Sequence, residues 1–118
     1  MVIETWVQQD LNQLVKVTQL QGCLFHNDSE ANLLGVYVTR AGIPVTLEGE
    51  CNGYAILPDG SLQTIAGSIE GDKAWVVLPD FCYATPGFLQ VTLKIGTTTI
   101  GSFSGNVHRT ITDVVANP

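Results

Sequence analysis

"GYAILPDGSLQTIAGSIEGDKAWVVLPD", residues 53 to 80, is the stretch that decides the fold class. Short apolar or alternating runs are cut by Pro58-Asp59-Gly60 and again by Glu70-Gly71-Asp72. Pro58 presets φ and Gly60 takes the positive φ that a Cβ resists, so the first break reads as a tight hairpin. The second break starts another hairpin. Three consecutive strands, in the 50s, 60s and 70s, are therefore expected to form a meander. Pro79 ends the third strand, because proline cannot donate to a ladder.

The same punctuation recurs on both sides. His26-Asn27-Asp28, Ala41-Gly42, Thr85-Pro86-Gly87 and Gly96 separate further short runs, and helical periodicity is hard to find. Candidate strands cover residues 13–20, 32–39, 45–57, 62–69, 74–78, 88–95 and 98–109. Alternation is clean in several: Leu89, Val91, Leu93 and Ile95 oppose Phe88, Gln90, Thr92 and Lys94, so one face looks inward and the other outward. Short strands at this spacing are the signature of a sandwich or a barrel. At Pro79-Asp80-Phe81-Cys82-Tyr83 a single helical turn is expected, pushing Phe81 or Tyr83 under the sandwich edge as a plug, with Cys82 a small hydrophobe in that corner.

A chain of 118 residues is one domain, and at this size about two thirds of the unfolded surface is buried on folding. Hydrophobic residues make up 45% and charged residues only 14%, which predicts a packed core under an unusually uncharged surface suited to protein contacts. The net charge is -6, and the five bases Lys16, Arg40, Lys73, Lys94 and Arg109 are dispersed. Phosphate neutralisation needs a clustered positive patch, so nucleic-acid binding is rejected. No apolar run has the length of a membrane span, and the N-terminus lacks the pattern of an export signal, so no membrane partner is expected. Three widely spaced cysteines, Cys23, Cys51 and Cys82, argue against a complete disulfide framework and for a reducing place of synthesis.

Each candidate for chemistry has a plainer reading. Cys82 as a nucleophile needs His26 or His108 as its base, and no local signature joins them. Cys23 and His26, with Cys51 and Cys82, offer zinc-ligand types without paired C-x2-C spacing. The loop HNDSEAN, with Asp28 and Glu30, lacks the alternation and glycine of a calcium loop. Glu48 and Glu50 are expected on one side of one strand, where a solvated face or a subunit contact is the simpler account than acid-base hydrolysis. The chain is therefore read as no enzyme, with no cofactor and no metal.

The ends differ from the middle. Residues 1–12, with Trp6 and Val7, show little patterning, and residues 110–118 (TITDVVANP) are short and weakly apolar. The organisation expected is an N-terminal arm over 1–12, a β-sandwich domain over 13–109 and a C-terminal tail over 110–118. The arm and tail are read as either frayed or held by neighbouring chains, and the second case makes Trp6, Val7, Thr112, Asp113, Val114 and Val115 the candidate protein-contact residues.

Five stretches carry a resemblance that covers residues 30 to 115. They are Gly53-Tyr54 through Pro58-Asp59-Gly60, Val76-Val77-Leu78-Pro79, Tyr83-Ala84-Thr85-Pro86-Gly87, Thr97-Thr98-Thr99-Ile100 and His108-Arg109-Thr110-Ile111-Thr112-Asp113. Together they resemble short tail-associated phage and prophage proteins of Gram-positive gut bacteria. They are similar to the N-terminal domain of siphophage upper baseplate proteins and to related fibre-attachment domains. The resemblance implies an all-β fold, an immunoglobulin-like antiparallel β-sandwich of about seven strands, in a structural rather than catalytic role. It places the chain in a virion assembled in the bacterial host cytoplasm, as a head fibre or decoration subunit or a tail-baseplate attachment subunit. The partners implied are other virion proteins (capsid, portal, tail or fibre) and further copies of the chain, a homo-oligomer with a trimer as the expected order. The alternative is a carbohydrate- or receptor-binding module presenting Trp75, Tyr54 or Tyr37.

Overall fold

The computed structural model describes residues 3–20, 24–25 and 32–108. Eleven extended segments run in the order β1 (Ile3–Asp10), β2 (Val17–Gln19), β3 (Leu24–Phe25), β4 (Asn32–Arg40), β5 (Ile43–Pro44), β6 (Cys51–Ile56), β7 (Leu62–Ala66), β8 (Ser68–Glu70), β9 (Lys73–Val77), β10 (Gly87–Ile95) and β11 (Thr98–His108). The single helical element described is a 3-10 turn, Asp80–Tyr83. The first sheet has the order β1-β4-β9-β8, with β5 on β4, and the second has the order β2-β11-β10-β6-β7, with β3 on β11. The fold is the expected all-β sandwich, and β4-β9-β8 facing β11-β10-β6 reproduces the B-E-D and G-F-C strand orders of immunoglobulin domains.

Three expectations are corrected. The sheets are mixed rather than antiparallel, since β1 pairs parallel with β4 and both β2 and β3 pair parallel with β11. The count exceeds seven because residues placed in an arm or in featureless connections add β1, β3 and β5, and because the run 62–69 is two strands, β7 and β8. Residues 3–10 are a strand of the sandwich along their whole length, bonded to residues 32–39. The meander is also absent: β6 and β7 form one hairpin in the second sheet, while β8 and β9 form another in the first. Gly67 makes the crossing. Its N–H donates to Cys51 C=O at 2.9 Å, and a Cβ there would stand 2.8 Å from that same oxygen.

The core follows from period-two alternation. Leu34, Val36 and Val38 of β4 and Ala74 and Val76 of β9 face Ala55 of β6, Leu89, Val91 and Leu93 of β10 and Phe103 of β11, all of them buried. Sheets in such a sandwich lie about 10 Å apart, and this is the side-chain layer that fills the gap. Gly53 keeps the layer thin where β6 crosses β9, since a Cβ would sit 3.1 Å from Val76.

One pole of the sandwich is closed by the predicted corner. Cys82 N–H donates to Pro79 C=O at 3.0 Å, closing the 3-10 turn, and Leu78 N–H donates to Asn32 C=O at 3.0 Å. Tyr83 is the plug, wholly buried, with its hydroxyl accepting from Asn32 Nδ2 at 3.1 Å. Ile3, paired with Asn32, and the end of β11 at His108, beyond the Gly87–Val107 pair, lie at this same pole. The Ala41-Gly42, Gly71-Asp72 and Gly96-Thr97 turns and the end of β1 lie at the other.

Candidate interaction surfaces

The corner thiol belongs to the core. Cys82 is 0% exposed, and desolvation by burial pushes its pKa up from 9.0 to about 12, so thiolate is scarce at neutral pH. Cys51, also buried, is raised for the same reason. His108, the described candidate base, is exposed at the end of β11. Cys23, His26, Asp28 and Glu30 lie outside the described residues, and no group of three or more metal-ligating side chains occurs among the described residues. Glu48 and Glu50 do not share a strand face. They sit in the irregular connection before β6, with Gly49 at φ +98° between them, a conformation in which no strand continues.

The outer face of the first sheet brings Trp6, Tyr37 and Trp75, named separately from the sequence, into one aromatic cluster. Trp6 lies over Gly35, its register partner, so closely that a Cβ on Gly35 would collide with the indole ring. Tyr37 flanks it at 4.9 Å between ring centroids and Trp75 at 6.2 Å, with interplanar angles of 37° and 56°. Trp6 Nε1 donates to Glu4 Oε1 at 2.8 Å, and Lys73 Nζ stands 5.7 Å from the Tyr37 ring centre. Trp6 and Trp75 are half-buried and Tyr37 is 36% exposed, so the cluster covers the sheet and still shows ring surface. Val7, the other N-terminal contact candidate, points the opposite way and packs on the core. Thr112, Asp113, Val114 and Val115 lie outside the described residues.

At the far end of β1, Asp10 clasps the β4–β5 turn. Its carboxylate accepts from Gly42 N–H (2.8 Å), Ala41 N–H (3.2 Å), Asn12 N–H (2.9 Å) and Thr39 Oγ1 (3.0 Å). These bonds, the Gly42 N–H foremost, hold its pKa at about 2, below the ordinary 3.8. They also steady Ala41, a non-glycine residue at φ +52°. A cleft of about 570 Å³ lined by Gln8, Asp10, Gln13 and Thr39 opens beside the clasp.

The second sheet is different in charge. Eleven acids occur in the chain, and none falls in any of its six strands. Its outer face carries Phe88 (55% exposed), Ile56 (46%) and Leu62 (64%) among Thr, Gln and Ser, with Tyr54 half-buried beside them. Lys94 is the one lysine or arginine of β6, β7 and β10, and its Nζ stands 5.8 Å from the Tyr54 ring centre. A shallow groove of about 400 Å³ runs between Tyr54, Ile56, Leu62 and Thr92. Scattered apolar side chains are ordinary on a surface. Their grouping on a carboxylate-free sheet of an acidic protein is the informative feature.

Fold and surface thus define an immunoglobulin-like sandwich with two distinct exposed sheet faces, one aromatic and one apolar and free of acids. Neither a known protein family nor a curated protein matches the chain. No described helix is long and apolar enough to cross a membrane.

Proposed function

We propose that the chain is a non-enzymatic structural subunit of a bacteriophage virion, acting through protein–protein contacts as a head fibre or decoration subunit or as a tail-baseplate attachment domain. The observation that carries the reading is the acid-free outer face of the second sheet, with Phe88, Ile56 and Leu62 exposed on it. In a chain of net charge -6, that face is where a neighbour approaches with least repulsion. The buried corner thiol agrees with a structural role, and so does the resemblance carried by residues 30 to 115. Repetition within a particle multiplies modest contacts, so a domain of this size is held firmly by several weak interfaces. The test is the copy number per purified particle by quantitative mass spectrometry. Hundreds of copies assign the chain to the capsid and a few to a few tens assign it to the tail; absence from particles refutes the reading.

A second reading, glycan or receptor binding, is favoured by one observation. Trp6, Tyr37 and Trp75 present ring surface together on the first sheet, and aromatic faces are what sugar rings and receptor side chains pack on. Binding to a glycan array that is lost in Tyr37→Ala supports it, and silence on the array removes it.

A further inference from the structure

Among the described residues, strand β7 is an edge without protection. It ends the order β2-β11-β10-β6-β7, so one side of its backbone meets β6 and, among the described residues, no strand pairs with the other. Leu57 N–H donates to Ser61 C=O and Gly67 N–H to Cys51 C=O, which marks both as hydrogen-bonded pairs, with Ala55–Gln63 and Gly53–Ile65 in register between them. Alternation in an antiparallel ladder then turns the backbone groups of Gln63 and Ile65 toward β6 and those of Leu62, Thr64 and Ala66 outward. Edges in soluble β-proteins are ordinarily blunted by charge, proline or a bulge. The sequence Leu62-Gln63-Thr64-Ile65-Ala66 has no charge and no proline, and its pairing with β6 has no register shift. The other described edges are guarded: β1 carries Glu4 and Asp10, β8 ends in Glu70, and β2 and β3 are three and two residues long.

We propose that β7 pairs antiparallel with β7 of a second copy across a two-fold axis at Thr64, joining two acid-free sheets into one. A second copy is the occupant the strand itself specifies. Thr64 meets its own symmetry mate in a favourable Thr–Thr pair, and the large Leu62 falls opposite the small Ala66. Three outward residues on each side supply about six interchain N–H···O=C bonds. Both partners share a charge of -6, and the contact brings no carboxylate of either sheet against the other. Five residues at about 3.4 Å each make a contact about 17 Å long. That buries on the order of 300–400 Å² per copy, at the low end for protein pairs, so the isolated chain associates reversibly, with a dissociation constant of micromolar to millimolar order.

The proposal does not rest on the virion reading, because it is tested on the purified chain alone. In a Cys23→Ala background, Thr64→Cys places two thiols at a hydrogen-bonded antiparallel pair, Cα atoms about 5.5 Å apart and within disulfide reach. Mild oxidation is expected to give a covalent dimer, at least tenfold faster than for Gln63→Cys, whose register mate is Ile65 rather than itself. Cys51 and Cys82 are buried and do not compete. In sedimentation equilibrium near millimolar concentration, Thr64→Lys and Thr64→Glu are each expected to remain monomeric while their mixture associates. A wild-type chain that stays monomeric there, a lysine variant that associates like wild type, or equal cross-linking at 63 and 64 overturns the proposal.

Discussion

Replacing Gly35 by alanine should destabilise the sandwich through one neighbour alone. The three heavy atoms nearest a Cβ at that position all belong to the Trp6 ring. The methyl group forces the indole off the sheet or bends β1 away from β4, the kind of overpacking that costs about 1–3 kcal/mol. Removing the ring by Trp6→Ala has its own cost. A half-buried indole takes about 100 Å² of apolar surface out of water, worth roughly 2.5 kcal/mol at 25 cal/mol per Å². In the double variant the methyl group meets empty space, and alanine in a strand is better than glycine by roughly 0.5–1 kcal/mol. The sign of Gly35→Ala is therefore expected to invert: destabilising by about 2 kcal/mol beside Trp6, neutral to stabilising without it. Urea unfolding of the four proteins, followed by far-UV circular dichroism, gives the coupling energy directly. A Gly35→Ala penalty of the same size in both backgrounds refutes the assignment of Gly35 to the indole.

Asp10 gives a pH signature. Its pKa is lowered from 3.8 to about 2 in the folded state, so its contribution is fully present above pH 4 and is lost as the pH falls through 2. The stability gap between wild type and Asp10→Asn, measured by thermal melts, should be open at pH 6 and closed near pH 2; a constant gap contradicts the clasp. Cys82 should resist thiol reagents at pH 8 until the protein unfolds, and rapid labelling of the native state contradicts its place in the core. With its pKa raised from 9.0 to about 12, its stabilising share is present below pH 9 and lost as the pH rises toward 12. Cys82→Ser, burying a hydroxyl where a thiol packs, should cost about 1–3 kcal/mol in urea unfolding. Ala41→Asn keeps the N–H that Asp10 accepts and suits the left-handed turn better, so a gain of about 0.5–1 kcal/mol in the same assay is expected.

What could be read from the sequence was what is local. Pro58-Asp59-Gly60 makes its hairpin as expected, with Gly60 at φ +88° and Leu57 N–H bonded to Ser61 C=O at 2.8 Å. The corner at Pro79 to Tyr83 and the alternation of β10 were legible for the same reason, because each is set by neighbours within a few residues. β1 was missed because its partner is remote and parallel, so no turn announces the pairing, and IETWVQQD alternates poorly. Residues 62–69 look like one run, yet they split between sheets at Gly67, where the decisive contact is Cys51 in another strand. The assembly of the surface features was unread on the same ground, although Trp6, Tyr37 and Trp75 were singled out one by one. Trp6 meets Gly35 and Asp10 meets the Ala41-Gly42 turn across long stretches of chain. The acid-free sheet becomes visible only when six separate strands are sorted by layer.

Ile3 and His108, the outermost described residues of β1 and β11, lie at the pole sealed by Tyr83, about 30 Å from the Gly71 and Gly96 turns, given nine-residue strands. The outer ends of β1 and β11 therefore share one pole. A peptide grafted into the Gly96-Thr97 turn is displayed at the opposite tip, a full strand length from both of these points.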